Sequence, residues 1–241
     1  MKIIQSKLLK QFGNLTQGFT SKEHGNLAFH VNDSKIHVIN NHKQLSILLS
    51  YDFEKLVHMK QVHKSEIKVI KEGDAFSNPP TCDGLITNKK YTPLMVMVAD
   101  CSPLLFYDSK TKTIAVVHAG RAGAFSNIVQ KTLHSFRDDF CSDMKDIYVS
   151  IGPSIGECCY EVGEEIYHEA KSLHLDYALN LKANTYYLSI SKILHKQLLD
   201  NGLEDKNIEF SKECTVCKTQ KYFSYREQGE TGRFCGLIML N

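Results

Sequence analysis

The sequence lacks any long uncharged apolar run and any strong excess of charge. The best candidate for a membrane span, residues 91–107, is interrupted by Pro93, Asp100 and Pro103, so we expect no transmembrane helix. The 29 Lys and Arg residues nearly balance the 27 Asp and Glu residues, which leaves a formal net charge of +2. Because no basic run is long enough to follow a phosphate backbone, the sequence also argues against a dedicated nucleic-acid-binding protein.

An export signal is missing as well, because lysines interrupt the first ten residues before any apolar core can form. We therefore expect a cytoplasmic protein whose eight cysteines are reduced thiols. Without disulfides, these cysteines and the 11 histidines become candidate metal ligands or nucleophiles.

Repeats, low-complexity tracts and linkers are absent too. The most loop-like stretch, residues 73–80, contains Pro79 and Pro80 and is too short to separate domains. Apolar residues make up 42% of the chain and charged residues 23%, which is typical of a globular protein and not of a disordered one. We therefore predict a single domain over residues 1–241.

Several short runs rich in β-branched or apolar residues predict strands. The run at residues 94–99 is continuously apolar, as in a central strand. Residues 104–107 and 113–118 are separated by a plausible hairpin turn at residues 108–112. Further strands are predicted at 67–70, 147–151 and 236–240.

Helices are predicted between these strands. One apolar stripe after Gly123 runs from Phe125 to Phe136 at three- and four-residue steps. Two more helices are predicted at residues 162–173 and 188–199. Closely spaced strands followed by alternating strands and helices predict an α+β or α/β fold, with a mixed sheet covered by helices.

Three possible metal ligands lie at the ends of predicted strands. His63 precedes the first of these strands, Cys101 ends the apolar run, and His118 ends the strand after the hairpin. Side chains at neighbouring strand ends can converge on one point. Two imidazoles and one thiolate would form a three-ligand zinc site with an open fourth position, as catalytic zinc sites have. For each residue taken alone, a structural role in the core is the alternative.

Residues that favour anions surround the third ligand. Gly120, Arg121 and Gly123 form a turn directly before a predicted helix, and a helix N-terminus attracts negative charge. Arg121, Arg226 and Arg233 sit beside glycines or aromatic residues, where a guanidinium suits phosphate or carboxylate. The simpler interpretation of Arg233 is a plain surface charge. The simpler interpretation of Gly120 is a tight turn.

Motifs along nearly the whole chain occur in the order that one known family shows. They are Asn26-Leu27, Gln61-Val62-His63, Cys82 to Thr87, Ala99 to Pro103, His118-Ala119-Gly120, Ile151 to Gly156, Cys159 to Gly163, Cys214-Thr215, Phe223 to Arg226 and Thr231-Gly232-Arg233. In these the chain resembles the bacterial laccase-domain (YfiH-like) family, whose members are described as polyphenol oxidases or as purine nucleoside phosphorylases.

The resemblance implies a zinc-dependent enzyme. It would convert adenosine, inosine or S-methyl-5'-thioadenosine and phosphate to the free base and the ribose 1-phosphate, and it would also deaminate adenosine. The implied partners are a nucleoside and phosphate only, with a monomer or homodimer expected.

The resemblance also assigns residues. By it, His63, Cys101 and His118 match the zinc ligands, Arg226 matches a substrate-site arginine, and Asn26 reaches the site. A carboxylate such as Asp83 or Asp100 would handle a proton or orient a ligand histidine.

One departure from the family pattern concerns the turn after His118. The family usually has His-Ala-Gly-Trp-Arg-Gly, whereas this chain has Ala122 at the arginine position, Arg121 one residue earlier, and no tryptophan anywhere. Either Arg121 substitutes for the missing arginine or its contribution is lost.

Two other chemistries remain open. A copper polyphenol oxidase is the older description of the family, and a His–Cys–His set can bind copper. Multicopper centres, however, typically use His-X-His pairs, and none of the 11 histidines lies two residues from another. Alternatively, Cys101 is the nucleophile of a hydrolase, with His63 or His118 as its base. Such a hydrolase would act as an editing factor in the synthesis of peptidoglycan precursors, a role the resemblance also implies.

The remaining cysteine motifs are weak. Cys214 and Cys217 form a single C-x-x-C, which predicts little without a second pair. Cys158 and Cys159 are adjacent in sequence and are interpreted as part of a turn.

Overall fold

The computed structural model describes residues 2–241, which contain six α-helices and twelve β-strands. The helices are α1 (Lys35–Leu49), α2 (Arg121–Phe125), α3 (Ile128–Phe140), α4 (Glu164–Ser172), α5 (Ile190–Asp200) and α6 (Tyr225–Gln228). The strands are β1 (Leu15–Phe19), β2 (Ile67–Val69), β3 (Gly84–Thr87), β4 (Leu94–Val98), β5 (Ser102–Asp108), β6 (Thr113–Ala119), β7 (Ile147–Ile151), β8 (Glu161–Val162), β9 (Leu179–Lys182), β10 (Thr185–Leu188), β11 (Ile208–Phe210) and β12 (Phe234–Leu240).

Three sheets organise these strands. The largest is a six-stranded mixed sheet in the order β11-β7-β5-β6-β3-β2, in which the outer pairs β11–β7 and β2–β3 are parallel. A three-stranded antiparallel sheet has the order β1-β12-β4, and a small antiparallel sheet has the order β8-β10-β9. The predicted α+β class with a mixed sheet and helical cover is therefore confirmed.

Alternating side chains build the layers of the fold. In β5, Leu104 and Phe106 belong to the core that also holds α3 and α5, whereas Leu105 and Tyr107 pack towards the three-stranded sheet. Because successive side chains of a strand point to opposite faces, the six-stranded sheet is covered on both sides. The other face of the β1-β12-β4 sheet packs against α1 through residues such as Leu45. The layers are thus helix, sheet, sheet and helix.

The predicted hairpin between residues 104–107 and 113–118 is confirmed. β5 and β6 pair antiparallel from Ser102↔Ala119 to Asp108↔Thr113. The Asp108 carboxylate accepts hydrogen bonds from the amides of Lys110 (2.7 Å) and Thr111 (3.1 Å) in the turn. The start of β5 therefore lies beside the end of β6.

Several predicted elements differ in detail. β4 lies at the edge of its described sheet and not at its centre, although all five of its residues are buried. The helix predicted after Gly123 is split into α2 and α3 at Asn127, whose φ of 51° interrupts the helix and whose side chain caps α3. The predicted helix from residue 162 begins only at Glu164, after β8.

Before residue 67 the sequence pattern predicted no element, but the structure has β1 and α1 there. α1 carries apolar residues on more than one face, since Ile36 and Ile47 are exposed while Val38 and Leu45 are buried. A single apolar stripe is therefore missing from its sequence pattern. Within residues 2–241, none of the helices combines the length and apolar character that a bilayer span requires.

Candidate metal centre

The β5–β6 hairpin brings two of the three predicted ligands together. Cys101 directly precedes β5, and His118 near the end of β6 lies opposite Pro103. His63, from the loop before β2, joins them, and the rings of His63 and His118 are 4.7 Å apart at an interplanar angle of 89°. One nitrogen or sulfur atom from each residue lies within 4.8 Å of the others. The three side chains can therefore share one metal ion.

Asp83 orients the two histidines of this set through hydrogen bonds. Its side chain is fully buried, and one carboxylate oxygen accepts a 2.8 Å hydrogen bond from Nδ1 of His118. This bond leaves Nε2 of His118 free for a metal, an arrangement common at zinc sites. Of the two roles expected for this carboxylate, proton handling and orientation of a ligand histidine, its hydrogen bond to His118 corresponds to the second.

The same carboxylate holds the His63 loop. It accepts hydrogen bonds from three successive amides, those of Val62 (3.3 Å), His63 (3.0 Å) and Lys64 (2.8 Å). His63 has a φ of 55°, which a residue with a side chain adopts only when its surroundings impose it. Asp83 thus fixes two of the three candidate ligands at once.

The charges of the three residues are strongly coupled. Burial by itself would raise the pKa of the Cys101 thiol, but His118 and hydrogen bonds from both histidines outweigh it and lower that pKa. Burial would likewise lower the pKa of His118, yet the neighbouring Cys101 and Asp83 raise it. Without a metal, the pair therefore favours a thiolate beside an imidazolium, and the thiolate is the form that binds metal ions.

Gly120 makes room for the cysteine. A Cβ atom at this position would lie 2.9 Å from the Sγ atom of Cys101 and 3.7 Å from Cδ2 of His63. Any larger residue would therefore push into the donor set. The glycine that was predicted as part of an anion-binding turn also has a packing reason to be small.

A cavity of about 430 Å³ opens over the three donors. All three arginines that the sequence placed beside glycines or aromatic residues line it, which are Arg121, Arg226 and Arg233. Tyr160 and the largely exposed Tyr225 form further parts of the wall. The cavity therefore combines possible metal ligands, cationic groups and aromatic rings.

Arg226 is held from two sides. Its amide donates a 2.6 Å hydrogen bond to Asp100, and its guanidinium donates to the Glu161 carbonyl at 3.0 Å and lies 5.2 Å from the ring centre of Tyr160. The other carboxylate oxygen of Asp100 accepts from Thr215 at 2.6 Å. Both oxygens of Asp100 are thus engaged in positioning the neighbouring loops, and neither is bonded to a ligand histidine.

Arg121 is placed less favourably for an anion. Its guanidinium pairs with Glu169 at 2.5 Å and stacks near Phe125, 5.5 Å from the ring centre. It lines the cavity but already has a carboxylate partner. The helix that it begins, α2, has only five residues.

Asn26, assigned to the site by resemblance, does not line the cavity. Its side chain bonds the backbone of Ala28 and accepts from the Arg233 amide, each at 2.9 Å. It therefore supports the segment that carries Arg233.

Arg233 and His30 line the cavity but were not among the residues assigned to the site. The sequence left Arg233 either as an anion-binding arginine or as a plain surface charge, and its position beside Gly232 directly before β12 was an available signal. His30 also lines the cavity, and burial together with nearby Arg233 and His63 lowers its pKa. No sequence pattern pointed to His30.

Fold and site together define a layered α+β protein with a His–Cys–His set of candidate metal ligands at an arginine-lined cavity. The family described as multi-copper polyphenol oxidoreductase laccase matches residues 10–241. The chain belongs to this family, as the sequence motifs predicted.

Similar proteins carry a different functional name. The purine nucleoside phosphorylase YlmD of Bacillus subtilis is 30% identical, over 92% of this chain and 87% of that protein. A purine nucleoside phosphorylase of Corynebacterium glutamicum is 32% identical, over 89% of this chain and 86% of that protein. Among solved structures, the YfiH protein of Bacillus licheniformis aligns with a TM-score of 0.90 at 31% identity, covering 97% of this chain and 94% of that one.

Proposed function

We propose that this protein is a zinc-dependent purine nucleoside phosphorylase. It would take adenosine, inosine or S-methyl-5'-thioadenosine with phosphate and release the base and the ribose 1-phosphate. The observation that carries the proposal is the convergence of His63, Cys101 and His118 beneath a cavity with three arginines. The names of the relatives from Bacillus subtilis and Corynebacterium glutamicum support the same activity.

The donor set fits zinc. A tetrahedral ion with bonds of about 2.0–2.3 Å places its ligand atoms about 3.3–3.8 Å apart, and the three donor atoms lie within 4.8 Å of one another. One sulfur and two nitrogens suit this borderline cation, and Asp83 already bonds Nδ1 of His118. The chemistry that bound zinc supplies is Lewis-acid polarisation of a substrate oxygen.

The chain itself binds and orients the two substrates. Phosphate is an anion near neutral pH, and Arg226 and Arg233 offer it guanidinium groups in the cavity wall. Arg226 keeps its place through Asp100 and Glu161, so little order has to be gained when phosphate binds. Arg121 contributes less because it pairs with Glu169.

A purine ring would stack at the aromatic side of the cavity. The segment 222–225 contains three aromatic residues. Tyr222 is fully buried and its hydroxyl donates to Glu213, so it is a core residue. Tyr225 is 60% exposed and lines the cavity together with Tyr160, and these two rings can hold a flat base.

A second candidate, thiol-based hydrolysis, is favoured by one observation. Cys101, His118 and Asp83 form a connected chain in which the thiolate form of Cys101 is stabilised, the arrangement that activates a cysteine nucleophile. Chelation separates the two functions. A hydrolase keeps its activity without metal and loses it on alkylation of Cys101, whereas a zinc phosphorylase loses its activity to the chelator.

The deciding experiment combines elemental analysis with a nucleoside assay in the presence and absence of phosphate. We expect ribose 1-phosphate only when phosphate is present. His118→Gln should lose the activity together with the zinc ion of the His63, Cys101 and His118 set. The matched control is His134→Gln, at an exposed histidine of α3. Inosine formed from adenosine without phosphate would show deamination instead, and oxygen-dependent oxidation of phenols by a copper-loaded protein would show the oxidase. Zinc-replete protein that cleaves no nucleoside contradicts the proposal.

A further inference from the structure

A second set of possible metal ligands lies outside the His–Cys–His set. The sulfur atoms of Cys158, Cys159, Cys214 and Cys217 all lie within 4.8 Å of one another. The Sγ atom of Cys217 is 3.4 Å from that of Cys159 and 3.7 Å from that of Cys158. The two weak cysteine motifs of the sequence therefore meet in space, although more than 50 residues separate them.

These spacings match a single tetrahedral ion. A zinc–sulfur bond of about 2.3 Å puts the four sulfurs of a tetrahedral site about 3.8 Å apart. An iron–sulfur cluster distributes its thiolates over several iron atoms and so needs a wider arrangement. We propose that Cys158, Cys159, Cys214 and Cys217 bind one zinc ion in a closed, four-thiolate structural site.

The backbone holds the two segments together before any ion binds. Ser154 forms a β-bridge with Cys214, and the Thr215 amide donates to the Ser154 carbonyl at 3.1 Å. The Gly156 amide donates to the Sγ atom of Cys214 at 3.2 Å, a contact that stabilises a thiolate ligand. The site is thus largely preformed, which lowers the entropic cost of binding.

Gly156 also permits the close approach of the two turns. A Cβ atom there would lie 3.1 Å from the Sγ atom of Cys158 and 3.3 Å from the Cβ atom of Cys214. The Cys159 amide donates back to the Gly156 carbonyl at 3.0 Å, so the chain turns tightly at this point. This turn directs two adjacent cysteines to the same side.

The solvent exposure of the four cysteines is a further argument for a bound zinc ion. Cys158 and Cys217 are exposed, and Cys159 and Cys214 are partly exposed. Four accessible thiols in contact would be open to oxidation. Zinc, which has no redox chemistry, removes that reactivity when it binds, and the thiol protons pass to solvent.

The proposed ion would brace the wall of the cavity. Cys159 directly precedes Tyr160, which lines the cavity. Cys214 directly precedes Thr215, which donates to Asp100 beside Cys101. With all four positions filled by protein, this zinc would have no catalytic vacancy, and its role is to tie the two segments together.

The test is the zinc content of the full-length protein purified under reducing conditions in the presence of zinc. Cys217→Ser should lower the content by about one ion per chain relative to the parent. Cys101→Ser should remove a different ion, so the two losses should add in the double variant. Cys141→Ser, at an exposed cysteine outside both sets, is the matched control and should change nothing.

Alkylation of the unaltered protein tests the site without a variant. In the zinc-loaded protein, Cys141 should react at once and the four clustered cysteines only after a chelator is added. A visible cobalt(II) spectrum with strong thiolate charge transfer, lost in Cys217→Ser but kept in Cys101→Ser, should accompany this protection.

Three results would overturn the proposal. They are equal zinc in parent and Cys217→Ser, alkylation of the four cysteines as fast as that of Cys141, and a Cys159–Cys217 disulfide in the reduced preparation. None depends on nucleoside turnover, so failure of the proposed activity and failure of this site are distinguishable.

Discussion

Replacing Asp83 by asparagine tests whether one buried carboxylate organises the metal centre. Each of its oxygens accepts two hydrogen bonds. One oxygen accepts from Nδ1 of His118 (2.8 Å) and the His63 amide (3.0 Å), and the other accepts from the amides of Val62 (3.3 Å) and Lys64 (2.8 Å). An asparagine has only one oxygen, and its NH2 group cannot accept. In either orientation of the amide, two of these four donors therefore lose their acceptor.

The magnitude follows from that count. A hydrogen bond to a charged group contributes about 1.5–3 kcal/mol, so the loss of two bonds to the Asp83 carboxylate should lower the free energy of unfolding by about 3–6 kcal/mol. Loss of a carboxylate that orients a ligand histidine typically weakens metal binding about 10–100-fold, which corresponds to about 1.4–2.7 kcal/mol. We expect both effects, since Asp83 serves both histidines.

Two assays separate these effects. Urea unfolding of the chelator-treated protein measures stability without the metal, and competition with a chromogenic chelator measures zinc affinity. Asp108→Asn is the matched control, because Asp108 is equally buried but bonds the Lys110 and Thr111 amides through one oxygen only. An asparagine there keeps both bonds, so its stability should change by less than about 1 kcal/mol. If Asp83→Asn behaves like Asp108→Asn in both assays, the assigned role of Asp83 is wrong.

Three further predictions concern single residues. Gly120→Ala should weaken metal binding and activity at least tenfold, because the added Cβ would lie 2.9 Å from the Sγ atom of Cys101. The control Gly163→Ala, where an added Cβ meets nothing within 4 Å, should leave metal affinity unchanged. If the two variants bind the metal equally well, the added Cβ at position 120 does not disturb the donor set. Arg226→Ala should raise the KM for phosphate about tenfold or more, in line with the loss of one charge-assisted contact of about 1.5–3 kcal/mol, and an unchanged KM in steady-state kinetics would remove this arginine from the phosphate site. For Glu213, burial would raise the pKa, but hydrogen bonds from two lysines and a tyrosine lower it from 4.5 to about 2. Its stabilising contribution is therefore complete above about pH 4.5 and lost as the pH falls towards 2, so the stability difference between the parent and Glu213→Gln should shrink over that window in urea unfolding, and a constant difference would refute the assignment.

Local patterns in the sequence predicted a good part of the fold. The β5–β6 hairpin was recognisable because an apolar run at 104–107 and a β-branched run at 113–118 flank a short polar turn. The helix after Gly123 was recognisable from its apolar stripe, but the break at Asn127 was not, since a positive φ at asparagine leaves no periodic signal. α1 was missed because its apolar residues do not share one face.

The candidate ligands were recognisable by chemistry and position, as His63, Cys101 and His118 all stand near strand ends. The role of Asp83 was not recognisable, because the sequence offered Asp83 and Asp100 for the same two roles. Only their hydrogen-bond partners separate them, since Asp83 bonds His118 and Asp100 bonds the Arg226 amide. For Arg233 the sequence left a surface charge and an anion-binding role open, and only the structure places it in the cavity wall.

What the sequence determined by itself is therefore local, namely which segments are extended or helical, which faces are apolar, and which residue types can bind a metal. Strand order, the stacking of the two larger sheets and the meeting of Cys158 with Cys217 were decided only by the tertiary structure. The physical reason is that an apolar face in the sequence shows that this face must be buried, but it does not show which other element packs against it. The partner is chosen by the packing of the whole chain, and that packing brings distant side chains to one point.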